Sequence, residues 1–269
     1  MSKPNSLPTI GFVGTGAITT AVVTGFCERA KEFPFPIVIS PRNKENAEKL
    51  KRAYSDRITI AKDSQDVLDR SGWVVLAVLP QVGEEICRSL RFRSDHKVIS
   101  FFPDKALAQV RSWIGDTAEL VHMLPLTFNA FADGPIILCP PQKEVAEIFG
   151  HIGKVVEMER SDEAAVLSVV TACVTPMFAV METLIQWISA KGIPEDIATN
   201  YTTNFFLAVC QEAVRLDRDG VHTMATVSTP GGLNLMAKDI IEKLGGFDAW
   251  QAAMLPVLQR MTENFPHEA

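Results

Sequence analysis

The chain has 269 residues, 47% of them hydrophobic and 22% charged, which is enough for one large domain or two modest ones with proper cores. Its 26 basic and 32 acidic side chains leave a net charge of −6, which argues against a general binder of nucleic-acid phosphates. The start, Met1-Ser-Lys-Pro-Asn-Ser-Leu-Pro8, holds no apolar signal core, and no run is expected to reach the roughly 18 uncharged apolar residues that span a bilayer, so a cytoplasmic protein without a membrane partner is expected.

The first apolar run, Ile10–Val13, stops at Gly14-Thr-Gly16, and a helical pattern follows at once over Ala17–Ala30. Two glycines one residue apart at a strand-to-helix turn suit a dinucleotide pyrophosphate. Gly14 permits the tight turn, Gly16 lets the backbone approach the phosphates, and the free N–H groups at Ala17 and Ile18 hold the anion at the positive end of the helix dipole. The third glycine of that fingerprint is Thr19 here. Further strands are expected at Pro36–Ile39, Arg57–Ile60, Trp73–Val78, Lys97–Phe101, Leu120–Met123, Ile136–Leu138 and Val155–Met158. Helices are expected between them near Glu45–Ala53, Gln65–Arg70, Gly83–Leu90, Leu107–Trp113 and Lys143–Phe149. Near-continuous apolar strands alternating with helices predict an α/β domain with a doubly wound, mostly parallel sheet covered on both faces. Ligands of such sheets bind beyond the carboxyl ends of the strands.

After Arg160 the pattern turns wholly helical, over about 162–190, 195–217, 232–244 and 247–263. Thr175-Pro176 is expected to kink the first of these helices. Residues 1–160 therefore read as a Rossmann-type dinucleotide-binding domain and residues 161–269 as an all-α domain for dimerisation and substrate. Apolar residues on more than one helix face, as in Val166–Val170 and Phe205–Val209, need partners on several sides. A homodimer interlocked across a two-fold axis meets that need, with a compact monomeric bundle as the alternative. Cys27, Cys87, Cys139, Cys173 and Cys210 are scattered, so they read as reduced thiols and no metal is expected.

The second strand ends Ile39-Ser40-Pro41-Arg42-Asn43-Lys44, without the acid that accepts the ribose hydroxyls of NAD. Ser40, Arg42 and Asn43 offer a hydroxyl, a guanidinium and an amide where a 2′-phosphate would project, which predicts NADPH.

One further segment, Val227-Ser-Thr-Pro-Gly-Gly-Leu-Asn234, resembles the Val-Thr-Ser-Pro-Gly-Gly-Thr-Thr signature of pyrroline-5-carboxylate reductases. The likeness runs in order along the chain. Ile10-Gly-Phe-Val-Gly-x-Gly16 matches the family start, Leu76-Ala-Val-Leu-Pro80-Gln81 resembles Ala-Val-Lys-Pro-Gln, Met123-Leu-Pro125 falls at Met-Pro-Asn-Thr-Pro, and Thr175-Pro176 lies where Gly-Pro-Ala-Tyr stands. The resemblance implies reduction of a cyclic imine to proline by NADPH, with cofactor contacts from Ala77, Val78, Leu79 and Pro80. It also implies a dimer whose helical domains complete each other's sites, and substrate contacts from Met123, Thr175, Asp217, Ser228, Gly231 and Gly232. Thr229 and Asn234 then bind the substrate carboxylate or stand at the reacting group. A helix-opening turn with hydroxyls and free N–H groups suits a carboxylate.

Several positions depart from the family pattern. Leu79 replaces a lysine, Leu126-Thr127-Phe128-Asn129 replaces Asn-Thr-Pro, Ala172-Cys-Val-Thr175 replaces Ser-Gly-Ser-Gly, and Leu233-Asn234 replaces Thr-Thr. Polar substrate contacts have thus become apolar or larger, which suggests a bulkier or less polar substrate. Hydride transfer to an imine asks mainly for placement and exclusion of water. His122, at the end of a strand beside the cofactor cleft, is the candidate proton donor or carboxylate ligand. Two alternatives stay open: another NADP-linked oxidoreductase of the same build, hydroxyacid- or deazaflavin-linked, and a non-catalytic NADP-binding protein.

Overall fold

The computed structural model describes residues 7–31, 34–115, 119–226, 229 and 231–263. Contacts divide the chain into two units, residues 1–168 with 258–269, and residues 169–257. The first unit thus runs past residue 160 to Ser168.

Eight strands form one sheet in the first unit: β1 (Ile10–Val13), β2 (Ile37–Ile39), β3 (Ile58–Ile60), β4 (Trp73–Leu76), β5 (Lys97–Ser100), β6 (Glu119–Leu124), β7 (Pro135–Cys139) and β8 (Lys154–Glu157). Their order is β3-β2-β1-β4-β5-β6-β7-β8. Every neighbouring pair is parallel except β6 and β7. That one reversal follows from chain length. Parallel neighbours need a crossover of about a dozen residues or more, and only Pro125 to Gly134 separates β6 from β7. Among the described residues, seven helices accompany the sheet: α1 (Ala17–Glu28), α2 (Lys44–Ala53), α3 (Ser64–Asp69), α4 (Pro80–Ser89), α5 (Leu107–Ile114), α6 (Lys143–Phe149) and α7 (Ser161–Ser168). The α/β architecture expected from the alternation is the one found.

Alternate residues of each strand point to opposite faces. Ile10 and Phe12 of β1, Ile37 and Ile39 of β2 and Val75 of β4 enter one core with Val22, Val23 and Phe26 of α1 and Phe149 of α6. Val13, Val38, Val74, Leu76 and Val98 enter the other with Val67 and Leu68 of α3 and Val110 and Trp113 of α5. Burial on both faces explains why the strands read as unbroken apolar runs. Phe26 stacks edge-on against Phe35 at 4.8 Å and Phe149 at 5.0 Å, which fixes α1 over the sheet.

A 3-10 turn over Thr127–Phe131 escaped the sequence pattern. Asn129 shapes it: its Oδ1 accepts from Leu126 N–H at 2.6 Å, and its Nδ2 donates to the Asp133 carbonyl at 2.8 Å. The turn packs on α1 at Gly25, where a Cβ would lie 2.3 Å from the Asn129 carbonyl oxygen. A glycine in the middle of a helix signals such a close approach.

The second unit contains a 3-10 turn (Val169–Cys173), α8 (Val174–Ser189), α9 (Glu195–Arg215), α10 (Arg218–Thr226), α11 (Leu233–Lys243) and most of α12 (Gly246–Thr262). The long first helix expected over 162–190, kinked at Pro176, is instead interrupted earlier. The 3-10 turn breaks it, and Pro176 sits in the first turn of α8, where its missing N–H costs no helical hydrogen bond. α10 is an additional helix. Asp217 opens it by accepting from Gly220 N–H at 2.7 Å.

One expectation is overturned outright. Residues 164–181 carry no charged side chain, and the helical segment Ser161–Ser189 is long and apolar enough, by length and composition, to cross a membrane. Its serines, threonines and proline disguise the run. Only 22% of its apolar window is buried in the single chain.

Candidate functional site

The turn joining β1 to α1 is built by its own hydrogen bonds. Gly14 has a φ of +103°, and a Cβ there would lie 2.4 Å from the Ala77 carbonyl oxygen, so glycine is required. Gly14 N–H donates to Ser40 Oγ at 2.9 Å, and Thr15 Oγ1 donates to the Ser40 carbonyl at 2.7 Å. Thr19, fully buried, donates its hydroxyl to the Gly14 carbonyl at 2.8 Å. That bond gives Thr19 a structural reason to stand at the third glycine's place.

Gly16 differs from Gly14. Its φ of −84° is ordinary, and a Cβ there would meet no protein atom within 4 Å. Nothing among the described residues demands glycine at position 16, whereas a phosphate closing on the backbone would. α1 starts with neither a side-chain cap nor an acidic residue in its first turn, so the N–H groups of Ala17 and Ile18 are presented to an anion. Ala17 is exposed and Ile18 half-buried against the core. The strand order reverses between β1 and β4, where a dinucleotide lies in sheets of this type, and these residues suit its pyrophosphate.

At the end of β2, Arg42 and Lys44 stand exposed, with no carboxylate between Ser40 and Lys44. Asn43, also exposed, caps α2 by accepting from Asn46 N–H at 3.1 Å, and Asn46 Nδ2 reaches the Thr15 carbonyl at 3.0 Å. α2 is thereby tied to the β1–α1 turn, a support that sequence reasoning missed. Ser40 is 1% exposed and its hydroxyl serves the turn, so it supports the site from beneath. After β4, Ala77 and Val78 press on Gly14. Leu79 is 71% exposed, and Pro80 occupies the first turn of α4.

His122 and Met123 sit on β6, two strands from β4, with Leu76, Ser100 and His122 in register across the sheet. Met123 corrects the expectation of a substrate contact, because its side chain is wholly inside the core. His122 is 4% exposed, and burial pushes its pKa down to about 4. A backbone hydrogen bond at Phe102 and the charge of Asp104 oppose that shift only in part. The imidazole is therefore neutral near pH 7, with Nε2 buried and unpartnered among the described residues. It presents no cation for a carboxylate.

In the second unit, Thr229, Gly231, Gly232 and Asn234 lie in one turn opening α11. Gly232 N–H donates to the Thr229 carbonyl at 2.8 Å, and Gly232 caps the helix without a side-chain bond. Thr229 and Asn234 are exposed, while Ser228 lies outside the described residues. Thr175 is exposed in the first turn of α8, and Asp217 is spent capping α10. Asn234 also lines a cleft of about 620 Å³ between α10, α11 and the start of α12. No sequence pattern announced this cleft, because its wall is assembled from three helices.

Comparison with known proteins agrees with this architecture. Residues 9–103 match the family described as NADP oxidoreductase, coenzyme F420-dependent. The chain is 21% identical to the pyrroline-5-carboxylate reductase of Synechocystis over 262 residues, covering 94% of this chain and 97% of that protein. Its fold superposes on the 1-pyrroline-5-carboxylate reductase of Streptococcus pyogenes with a TM-score of 0.82 at 18% identity, covering 95% and 98% of the two chains. The Plasmodium falciparum pyrroline carboxylate reductase, solved with NADP bound, also gives 0.82, at 16% identity and 96% and 98% coverage.

Proposed function

We propose that this chain, a divergent member of the pyrroline-5-carboxylate reductase family, is an NADPH-dependent reductase of imines that takes pyrroline-5-carboxylate to proline or reduces a related C=N substrate. The observation that carries the proposal is the cradle at Gly14–Ile18, where Gly16 leaves the uncapped start of α1 free of neighbouring side chains. NADPH supplies the hydride when bound. The chain's part is to hold the pyrophosphate at Gly14, Gly16, Ala17 and Ile18 and the 2′-phosphate at Arg42, with Asn43 shaping the helix end beneath it. Ala77–Pro80 frame the cofactor beside Gly14, and the α11 turn with Thr229 and Asn234 binds the substrate. A protonated imine brings its own proton, so a neutral His122 does not count against the reaction.

The proposal includes a homodimer. Ile197, Tyr201, Phe205 and Val209 recur every fourth residue of α9 and are each at least half exposed, and Phe178 and Trp187 of α8 are exposed with them. A contiguous apolar stripe of this size marks an interface.

A second reading has one observation in its favour. Asn234 and Lys238 lie one turn apart on α11 and line the same cleft, which could serve a hydroxyacid dehydrogenase. Lys238 is already paired with Glu242 at 3.0 Å. Loss of NADPH absorbance with pyrroline-5-carboxylate or another cyclic imine, and none with keto acids, supports imine reduction. Turnover of keto acids alone would transfer the assignment to the second reading.

A further inference from the structure

The ligand edge of the sheet extends beyond the β1–α1 turn. α1, α4 and α5 all start without a side-chain cap bond and without an acid in the first turn. By contrast, Asn43, Asp63 and Gln142 cap α2, α3 and α6, which carry Glu45, Asp66 and Glu144 in their first turns. The three open helices follow β1, β4 and β5, which are neighbours in the sheet. Open helix starts favour electron-rich ligand atoms. With the pyrophosphate at the β1–α1 turn and the 2′-phosphate at Arg42 beyond β2, the nicotinamide half of the dinucleotide runs the other way, over β4 and β5.

The connection from β5 to α5, residues 101–106, carries a buried polar cluster on that side. Lys105 Nζ donates to Asp104 Oδ2 at 3.1 Å, and only 14% of the lysine side chain is exposed. Lysines are seldom buried so far, and an ammonium with one carboxylate partner keeps two N–H donors to give. His122 lies beneath the same connection. It stands two residues beyond Leu120 on β6, hence on the sheet face that α3 and α5 cover. Its ring bonds the Phe102 backbone and feels the Asp104 charge, while His122 Nε2 and Asp104 Oδ1 are both buried with no partner among the described residues. Phe102 presses on α4, where a Cβ on Gly83 would lie 2.9 Å from its ring, so the connection is held firmly. The neighbouring turn, Ala77–Pro80, has no charged side chain, so of these two turns Lys105 alone supplies a cation.

We propose that Lys105 donates a hydrogen bond to an uncharged oxygen on the nicotinamide half of NADPH, a ribose hydroxyl or the carboxamide, with Asp104 as the brace that aims it. The inference rests on the proposed seats of the pyrophosphate and the 2′-phosphate and adds a contact outside them. Charge decides the class of acceptor. Asp104 already balances the ammonium, so a second anion such as a substrate carboxylate gains little there, whereas a neutral oxygen needs only the donor.

Calorimetry on the full-length protein compares NADPH with adenosine 2′,5′-bisphosphate, which keeps the 2′-phosphate and lacks the nicotinamide half. Lys105→Met should weaken NADPH about tenfold and leave the bisphosphate within about twofold of the parent. Asp104→Asn should move the ratio of the two affinities in the same direction by less, and Lys105→Arg, which keeps donors, should restore most of it. Arg42→Ala should weaken both ligands. Unchanged NADPH affinity in Lys105→Met overturns the inference, as do equal losses for the two ligands. If Lys105→Met does not fold, the parent protein decides: NADPH should slow chemical acetylation of Lys105 and the bisphosphate should not, and equal rates overturn the inference. Failure of both nucleotides to bind the parent brings down the cofactor seats and the inference together. Binding as expected without reduction of any imine brings down the imine reductase reading alone.

Discussion

Gly14 and Gly16 stand one residue apart and are both glycine for different reasons, which makes them separable by mutation. Gly14→Ala meets a positive φ and the Ala77 carbonyl, so it should cost at least about 1–3 kcal/mol of stability together with cofactor binding. Gly16→Ala meets ordinary backbone and open space, so the unfolding midpoint should stay within about 0.5 kcal/mol of the parent while NADPH affinity falls. Urea unfolding and fluorescence titration with NADPH check both. Arg42→Ala should lose a charge-assisted contact worth about 1.5–3 kcal/mol with NADPH and little with NADH, and equal losses for both cofactors would refute its role at the 2′-phosphate. His122 sets an acid limit. Its folded pKa of about 4 lies below the ordinary 6.5, so below pH 6.5 the unfolded chain takes up a proton that the folded chain resists. Stability is therefore intact above pH 6.5 and lost as the pH falls towards 4, by up to about 3 kcal/mol. His96, whose pKa burial also lowers, adds to the loss in the same direction. Urea midpoints from pH 7 to 4.5 should fall accordingly, and more gently in His122→Gln.

At the level of elements, α1 shows packing overruling propensity. Alanine in place of a mid-helix glycine ordinarily stabilises by about 0.5–1 kcal/mol. At Gly25 the added methyl would lie 2.3 Å from the Asn129 carbonyl oxygen of the Thr127–Phe131 turn, so Gly25→Ala should destabilise by about 1–3 kcal/mol. Thermal unfolding gives the sign directly, and a raised midpoint would mean that the turn does not clamp α1. The same turn explains why β7 runs against β6, since the connection is too short to cross over. Pro176 illustrates the opposite case. Local chemistry predicts a kink at this proline inside one long helix, but the helix is broken earlier, at Val169–Cys173, and Pro176 stands in the first turn of α8.

For the whole molecule, the apolar surface of the helical unit is the feature that calls for a partner. Among its described residues only Val169, Ile185, Ala198 and Thr202 are buried, a meagre core for 89 residues rich in apolar side chains. A second copy is the proposed cover. Sedimentation of the purified protein without detergent should give a dimer or larger homo-oligomer, and Phe205→Glu, which sets a charge in the α9 stripe, should shift it towards the monomer. A fully active monomer would remove the basis for a shared site. A protein that stays dispersed only in detergent would point to the apolar Ser161–Ser189 segment meeting lipid instead.

The α/β sheet, its strands and helices to within a few residues, the glycine turn after β1 and the family resemblance are all legible in the chain before it folds. Strand and helix periodicity, a glycine pair and caps are local signals, and short stretches of chain carry them in full. The tertiary structure alone decided the antiparallel β7, the break before Pro176, the burial of Met123 and His122, the diversion of Ser40 to support Gly14, and the cleft beside Asn234. Each of these depends on which distant residues share a space. Leu76, Ser100 and His122 become neighbours only through sheet register, and Met224 and Phe247 meet only when three helices pack. Whether a polar side chain is a ligand or a brace is set by that company, because burial and hydrogen-bond partners, rather than residue type, determine its charge and its freedom to bind.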